Sequence, residues 1–293
     1  MNIYETITSQ IIKTIQDGAG SFKMPWHQKV GSGIPTNAIT GKMYQGGNIM
    51  ALWASGMSKG YDSSQWATYK QWATIGAQVK GGEKATAGIY FSTFEKEDSA
   101  GNKTRMGFGK AFFLFNAAQV EGFAPQESAP LVDLTQRIAN ADTIIAATNV
   151  IINHGGTRAF FRPSANEIHM PNRDVFTGTA TSTPTESYYS TLLHELTHAT
   201  GHESRLNRIK GKRFGDDAYA FEELIAEIGA AFACARLGIA NEPRVDHAQY
   251  IAHWLDVLKS DSRAIVTAAS EAQKACDWIM TGGQVEAPQA IAA

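Results

Sequence analysis

The sequence predicts an α+β protein of two domains: a mixed α/β domain over residues 1–125, and a mostly helical domain with a small sheet over 131–285. Three observations carry that prediction. The chain has 293 residues, about twice a common domain length. Ala124–Pro130 holds two prolines, which marks a linker. Short apolar runs and Gly-rich turns precede it, whereas helical spacing dominates after it.

Taken in order, Ile7, Ile11, Ile12 and Ile15 recur at helical spacing and predict a helix from Ile3 to about Ile15, ending near Asp17-Gly18. Phe22–Trp26 is an extended entry with proline and aromatics, and Pro35–Asn48 is turn-rich and polar. Ile49–Ser55 reads as a helix, and Ser63–Trp72 as a strand running into another. Val79–Lys84 is a tight turn. Two strands follow, Ala85–Glu95 and Lys110–Phe115, around a polar hairpin at Lys96–Thr104. Asn116–Phe123 closes the first unit. In the second, Leu131–His154 reads as one helix, with its apolar part at Asp142–Asn153. Ala159–Arg162 and Glu167–Met170 are short strands around a turn, and Asp174–Pro184 is loop. A helix then runs to Gly201, which is expected to stop it because glycine tolerates the left-handed conformation. A basic loop, Arg205–Arg213, leads to a helix around Phe221–Phe232. Helices over Asp246–Leu258 and Ser262–Ile279 complete the core, and the tail from Thr281 is frayed.

Composition excludes several classes. With 43% hydrophobic and 18% charged residues the chain forms a packed core rather than a disordered coil. No run of about 18 apolar residues exists, so no membrane span is expected. The start, Met1–Thr6, lacks the basic and apolar segments of a signal peptide. Cys234 and Cys276 form no C-x-x-C pair and read as buried thiols of a cytoplasmic protein. Residues 1–125 carry twelve Lys/Arg against eight Asp/Glu, and the remainder fourteen against twenty. A mildly basic first half is weakly consistent with nucleic acid as partner.

The chemistry concentrates in Ser190–Gly201, which contains H-E-x-x-H. On a helix His194 and His198, at i and i+4, share a face, and two imidazoles so placed can bind one Zn²⁺. Glu195 is too close in sequence to be the third ligand, but is placed to take a proton from water at the metal. A second stretch, Phe221–Phe232, reads as a buried helix packed through Gly and Ala, yet carries Glu223 and Glu227 on one face. Burying two carboxylates is costly unless a cation or hydrogen-bond donor meets them. Glu223 is therefore assigned as third ligand, and Glu227 as acceptor for a ligand imidazole's other N–H. Glu222 faces another direction and is expected in solvent. His202 is a rival ligand, but the metzincin pattern needs histidine where this chain has Ser204. Tyr188, Tyr189, Tyr219 and His202 are all candidates for stabilising an oxyanion. Mn²⁺ is the other candidate ion.

Four of the six tryptophans, Trp26, Trp53, Trp66 and Trp72, lie in the first 125 residues, interleaved with tyrosines and lysines. Single-stranded nucleic acid is held by bases stacking on aromatics and phosphates meeting cations. Lys42, Tyr44, Trp72, Lys80 and Lys84, in or beside polar turns, are the candidate DNA-binding residues.

These pieces together resemble the ArdC-type antirestriction proteins of conjugative plasmids, over nearly the full chain. In the first half the matching pieces are Met24-Pro25-Trp26, Pro35-Thr36-Asn37, Thr40–Tyr44, Trp66–Gln71, Val79–Lys84 and Phe115–Val120. In the second they are Ala159–Pro163, Tyr188-Tyr189, His194–Gly201 and Glu222–Glu227. The resemblance implies a single-stranded-DNA-binding domain followed by a zincin-like metallopeptidase domain. It implies a protein that coats entering plasmid DNA and shields it from host restriction. A host restriction-system protein, or another protein, is then the candidate peptidase substrate. The alternative is a DNA-coating or masking protein whose metal site is structural or inactive.

Overall fold

The computed structural model describes residues 2–18, 24–27, 33–97, 103–124, 132–179, 182–208, 217–241 and 248–284. Residues 125–130 of the expected linker, the hairpin tip, most of the basic loop, Lys23 and Lys29, and the tail beyond Gln284 lie outside the described residues.

The first half begins with helix α1 (Ile3–Gly18), which buries Ile7, Ile11 and Ile15 and leaves Ile12 at the edge of the core. Strand β1 (Thr36–Asn37) leads to α2 (Gly47–Lys59), which stops at Gly60, a glycine in the left-handed conformation (φ 70°). β2 (Gln65–Ala67) runs into α3 (Tyr69–Thr74), capped by the reciprocal pair Thr68 and Gln71. β3 (Gln78–Val79), the long pair β4 (Thr86–Glu97) and β5 (Lys103–Asn116), and β6 (Val120–Glu121) follow. β1-β2-β5-β4 form one sheet, and β3 pairs with β6. The β4–β5 ladder is antiparallel and unbroken from Thr86↔Leu114 to Glu97↔Lys103, so β5 begins seven residues before the expected Lys110, while β4 keeps close to its expected bounds.

The second half opens with a correction. The segment 131–154 is not one helix: α4 (Leu134–Ala147) ends, Asn149 takes a left-handed turn (φ 54°), and the apolar run continues as β7 (Ile151–His154). β7, β8 (Phe160–Arg162) and β9 (Glu167–Met170) make a three-stranded sheet in which β9 is central. α5 (Pro184–Thr200) starts on a capping box, Thr183 with Glu186. It ends at Gly201 in an ordinary right-handed conformation (φ −75°), so the glycine's freedom is not what stops it. α6 (Asp217–Leu237), α7 (Ala248–Ser260) and α8 (Ala264–Met280) complete the chain. Among the described residues no helix is long and apolar enough to cross a membrane.

The main apolar core does not stop between the halves. Ile7, Ile11, Ile49 and Met50 share it with Leu193, Leu224, Ile265 and Ile279. The Thr8 hydroxyl donates to the Ser262 carbonyl at 2.6 Å, and the Gly46 N–H donates to Gln273 Oε1 at 3.2 Å. A separate small core holds Trp72, Val79 and Val120 between α3, β3 and β6.

α5 and α6 touch unusually closely. A Cβ on Gly229 would lie 2.5 Å from Thr197 Cγ2, so any side chain there would push the two helices apart. That approach sets the carboxylate face of α6 beneath the imidazoles of α5.

Candidate functional site

The site is built on α5 and α6. His194 and His198 stand one turn apart on α5, their rings edge-to-face at 4.8 Å. Each ring is anchored through Nδ1. His194 Nδ1 meets Glu227 Oε1 at 2.9 Å, and His198 Nδ1 meets Glu222 Oε1 at 3.3 Å. A carboxylate beside each Nδ1 favours the tautomer with its proton there, which leaves both Nε2 atoms to offer electron pairs. There Glu223 faces them: Oε2 is 3.6 Å from His194 Nε2, and Oε1 is 3.5 Å from His198 Nε2. Tetrahedral Zn²⁺ with ligand bonds of about 2.05 Å holds neighbouring donor atoms about 3.3 Å apart, so these separations fit a shared ion. One ligand atom from each of His194, His198 and Glu223 lies within 4.8 Å of the others.

The electrostatics agree. His194 is 4% exposed and Glu223 6%. Burial pushes the Glu223 carboxyl up, but the two imidazoles outweigh it and hold the acid ionised, well below the usual carboxylate range. Burial lowers both histidines, yet the carboxylates around them raise them above the ordinary imidazole value. A buried anion facing two imidazoles is a donor set for a cation. Glu195, the intervening acid of the motif, is buried beside them.

Glu222 is not in solvent as its position predicted. It accepts from Arg208 Nε at 3.0 Å and Nη2 at 2.9 Å, a bidentate pair, besides His198. Burial raises its carboxyl, and His198 and Arg208 hold it below normal. Glu222 and Arg208 are thus the residues that sequence reasoning missed. The signal was a third glutamate next to Glu223, readable only once Arg208 is known to fold back over α5, where it also donates to the Thr197 carbonyl.

Of the four oxyanion candidates, Tyr188 and Tyr189 are buried and engaged elsewhere. Tyr188 Oη lies 2.8 Å from His154 Nε2, Tyr189 Oη donates to Asp142, and the Arg173 guanidinium covers both rings. His202 Nδ1 pairs with Ser204 Oγ at 2.8 Å. Tyr219 is hydrogen-bonded to Glu223 and Tyr250, with burial, the largest influence, pushing its phenol upward.

The N-terminal candidates separate. Trp72 is 0% exposed; its indole N–H donates to the Phe115 carbonyl at 3.1 Å, so it is a core residue and offers no face to a base. Tyr44 is half-buried, bonded to Asn37 Nδ2 and the Trp66 carbonyl, and burial pushes its phenol up to about 12. Lys42, Lys80 and Lys84 are exposed. Among the described residues of this half, the aromatics that do lie open include Tyr69, Tyr90, Phe91 and Phe113, at 51%, 46%, 55% and 58% exposure. The register Ala87↔Phe113 and Phe91↔Gly109 puts Phe91 and Phe113 on one face of the sheet, where Tyr69 packs edge-on against Phe115.

Two histidines one helical turn apart, a glutamate from the next helix and an acid between the histidines define the zincin class of metal centre. Residues 139–271 match the family of zincin-like metallopeptidases, and residues 1–120 match the N-terminal domain of anti-restriction factor ArdC. The chain belongs to the ArdC antirestriction family. It is similar to the crystal structures of the antirestriction ArdC protein from plasmid R388, in metal-free and Mn(II)-bound forms. The TM-scores are 0.79 and 0.78 at 36% identity, over 97% of this chain and 98% of that one. An uncharacterised protein of Sinorhizobium fredii, y4eC, is 40% identical over 95% of this chain and 91% of its own length. The DNA primase TraC of Escherichia coli is 35% identical over 94% of this chain, which spans 27% of that longer protein.

Proposed function

We propose that this protein is an antirestriction factor that binds single-stranded DNA with little sequence preference and carries a zinc-dependent peptidase site. The observation that carries the catalytic part is the convergence of His194 Nε2, His198 Nε2 and a Glu223 carboxylate oxygen, with Glu195 beside them. A divalent ion held by these three residues would supply Lewis acidity to a water molecule and a scissile carbonyl. Glu195 accepts the proton of the attacking water and delivers it to the leaving amine. Glu227 and Glu222 keep the two rings in the tautomer that presents Nε2. Tyr219, hydrogen-bonded to Glu223 beside the ligands, is the phenol we assign to a developing oxyanion. Zn²⁺ is the ion favoured by two imidazoles and one carboxylate, with Mn²⁺ as the alternative.

The DNA part rests on the open ring faces of Tyr69, Phe91 and Phe113 and on the exposed ammonium groups of Lys42, Lys80 and Lys84. A host restriction-system protein is the proposed protein target, and the cytoplasm the proposed place of action. Glu195→Gln tests the catalytic part: zinc content stays at wild type while peptide cleavage stops. Cleavage by the variant at the wild-type rate refutes it.

One observation favours a second reading. Both His194 and Glu195 are at most 5% exposed, as in a site that holds a metal for structure. In that reading antirestriction comes from DNA coating or masking, and Glu195→Gln leaves protection unchanged.

A further inference from the structure

Each ligand imidazole leans on a carboxylate, and each of those carboxylates leans on a further cation-forming group. Behind Glu222 stands Arg208, from the loop after α5. Behind Glu227 stands His27, from the opposite half of the chain, its Nε2 4.0 Å from Glu227 Oε2. His27 follows the Met24-Pro25-Trp26 stretch, two residues of which hold it in place. Trp26 is fully buried and packs edge-on against Trp254 at 5.7 Å. The Met24 N–H donates to His27 Nδ1 at 3.0 Å. That bond settles the tautomer: Nδ1 accepts, so in the neutral ring the proton sits on Nε2, the atom facing Glu227. The other oxygen of Glu227 lies 2.9 Å from His194 Nδ1.

We infer that His27 is a positioning residue of the metal centre, contributed by the N-terminal half. It orients Glu227, which orients His194. The separation is beyond a formed hydrogen bond, so the effect is that of an N–H dipole aimed at an anion in a buried, weakly screened place. This inference rests on the metal-site reading above.

Two substitutions separate positioning from packing. His27→Asn keeps an acceptor where Nδ1 stood, for the Met24 N–H, but cannot reach Glu227. His27→Gln keeps a donor where Nε2 stood and loses the acceptor. The measurement is the affinity of the full-length protein for Zn²⁺ alone, by competition with a chromophoric chelator. If His27 acts through Glu227, the asparagine variant binds zinc about tenfold more weakly, the lower end for lost outer support of a ligand. The glutamine variant then stays near wild type, and His27→Asn has no further effect on a Glu227→Ala background. Equal affinity of the asparagine variant and wild type overturns the inference, as does an equal loss in both variants. If the asparagine variant does not fold, the glutamine variant decides: near-wild-type affinity supports the inference and a tenfold loss overturns it. Failure of both to fold makes His27 a packing residue and also overturns it. Wild-type protein that takes up no zinc refutes the metal-site reading itself, and this inference with it.

Discussion

Replacing Gly229 by alanine forces α5 and α6 apart at the point where they are tightest. The new Cβ meets Thr197 Cγ2 at 2.5 Å, Oγ1 at 3.1 Å and Cβ at 3.4 Å. Carbon atoms rest about 3.5–4.0 Å apart, so the helices must separate by about 1 Å. Thr197 cannot swing aside freely: it is fully buried, and its hydroxyl donates to the Leu193 carbonyl at 2.8 Å. Overpacking of this kind costs about 1–3 kcal/mol, and alanine in a helix interior offsets about 1 kcal/mol of it. The net loss is up to about 2 kcal/mol, read by urea unfolding of the metal-free protein. The effect on the metal is larger. Thr197 lies between His194 and His198 in sequence, and Gly229 is on the helix that carries Glu223. A 1 Å retreat, about one carbon–carbon overlap, carries the 3.5 and 3.6 Å separations toward the carboxylate out of range of one ion. Zinc affinity should fall by about 10–100-fold, the scale on which ill-supported ligands weaken metal sites. A double-mutant cycle gives the decisive sign. On a Thr197→Ala background the two closest atoms are gone, so Gly229→Ala becomes neutral or mildly stabilising. If Gly229→Ala costs the same on both backgrounds, or leaves zinc affinity untouched, the close approach is not what sets the site.

Removing the guanidinium with Arg208→Ala leaves Glu222 ionised, largely screened from solvent and facing only His198; unfolding should show a loss of about 1–3 kcal/mol. The two cysteines give a pH prediction. Burial pushes both thiols up to about 12 from an ordinary 9.0. The protonated form is favoured by folding, so this contribution is complete below pH 9 and is lost as pH climbs from there toward 12. At pH 8 the folded protein should not react with a disulfide reagent, and in urea both thiols should. Trp72→Ala should destabilise by about 3–5 kcal/mol as a core deletion. By contrast, Phe113→Ser should leave the unfolding curve in place while weakening an oligo(dT) complex by about 1–3 kcal/mol, measured by fluorescence anisotropy.

The candidate ligand cluster of His194, His198 and Glu223 could be read from the sequence because its spacing is covalent. His194 and His198 share a face wherever a helix forms, and Glu223 with Glu227 on an apolar helix signals a need for positive charge. Glu222 was not legible, because its partner Arg208 reaches it only through the turn after α5, which no local pattern encodes. Trp72 misled for a related reason. It sits beside polar turns, yet α3 rolls it into a pocket between β3 and β6 that forms only when distant strands pair. The segment 131–154 misled because apolar residues continue through the helix end, and the break rests on one residue, Asn149, in a left-handed conformation.

The core that runs from Ile7 to Ile279 has a practical consequence for dissecting this molecule. Severing the chain near residue 125 would leave raw oily surfaces on two fragments, one stripped from α1 and α2, the other from α7 and α8.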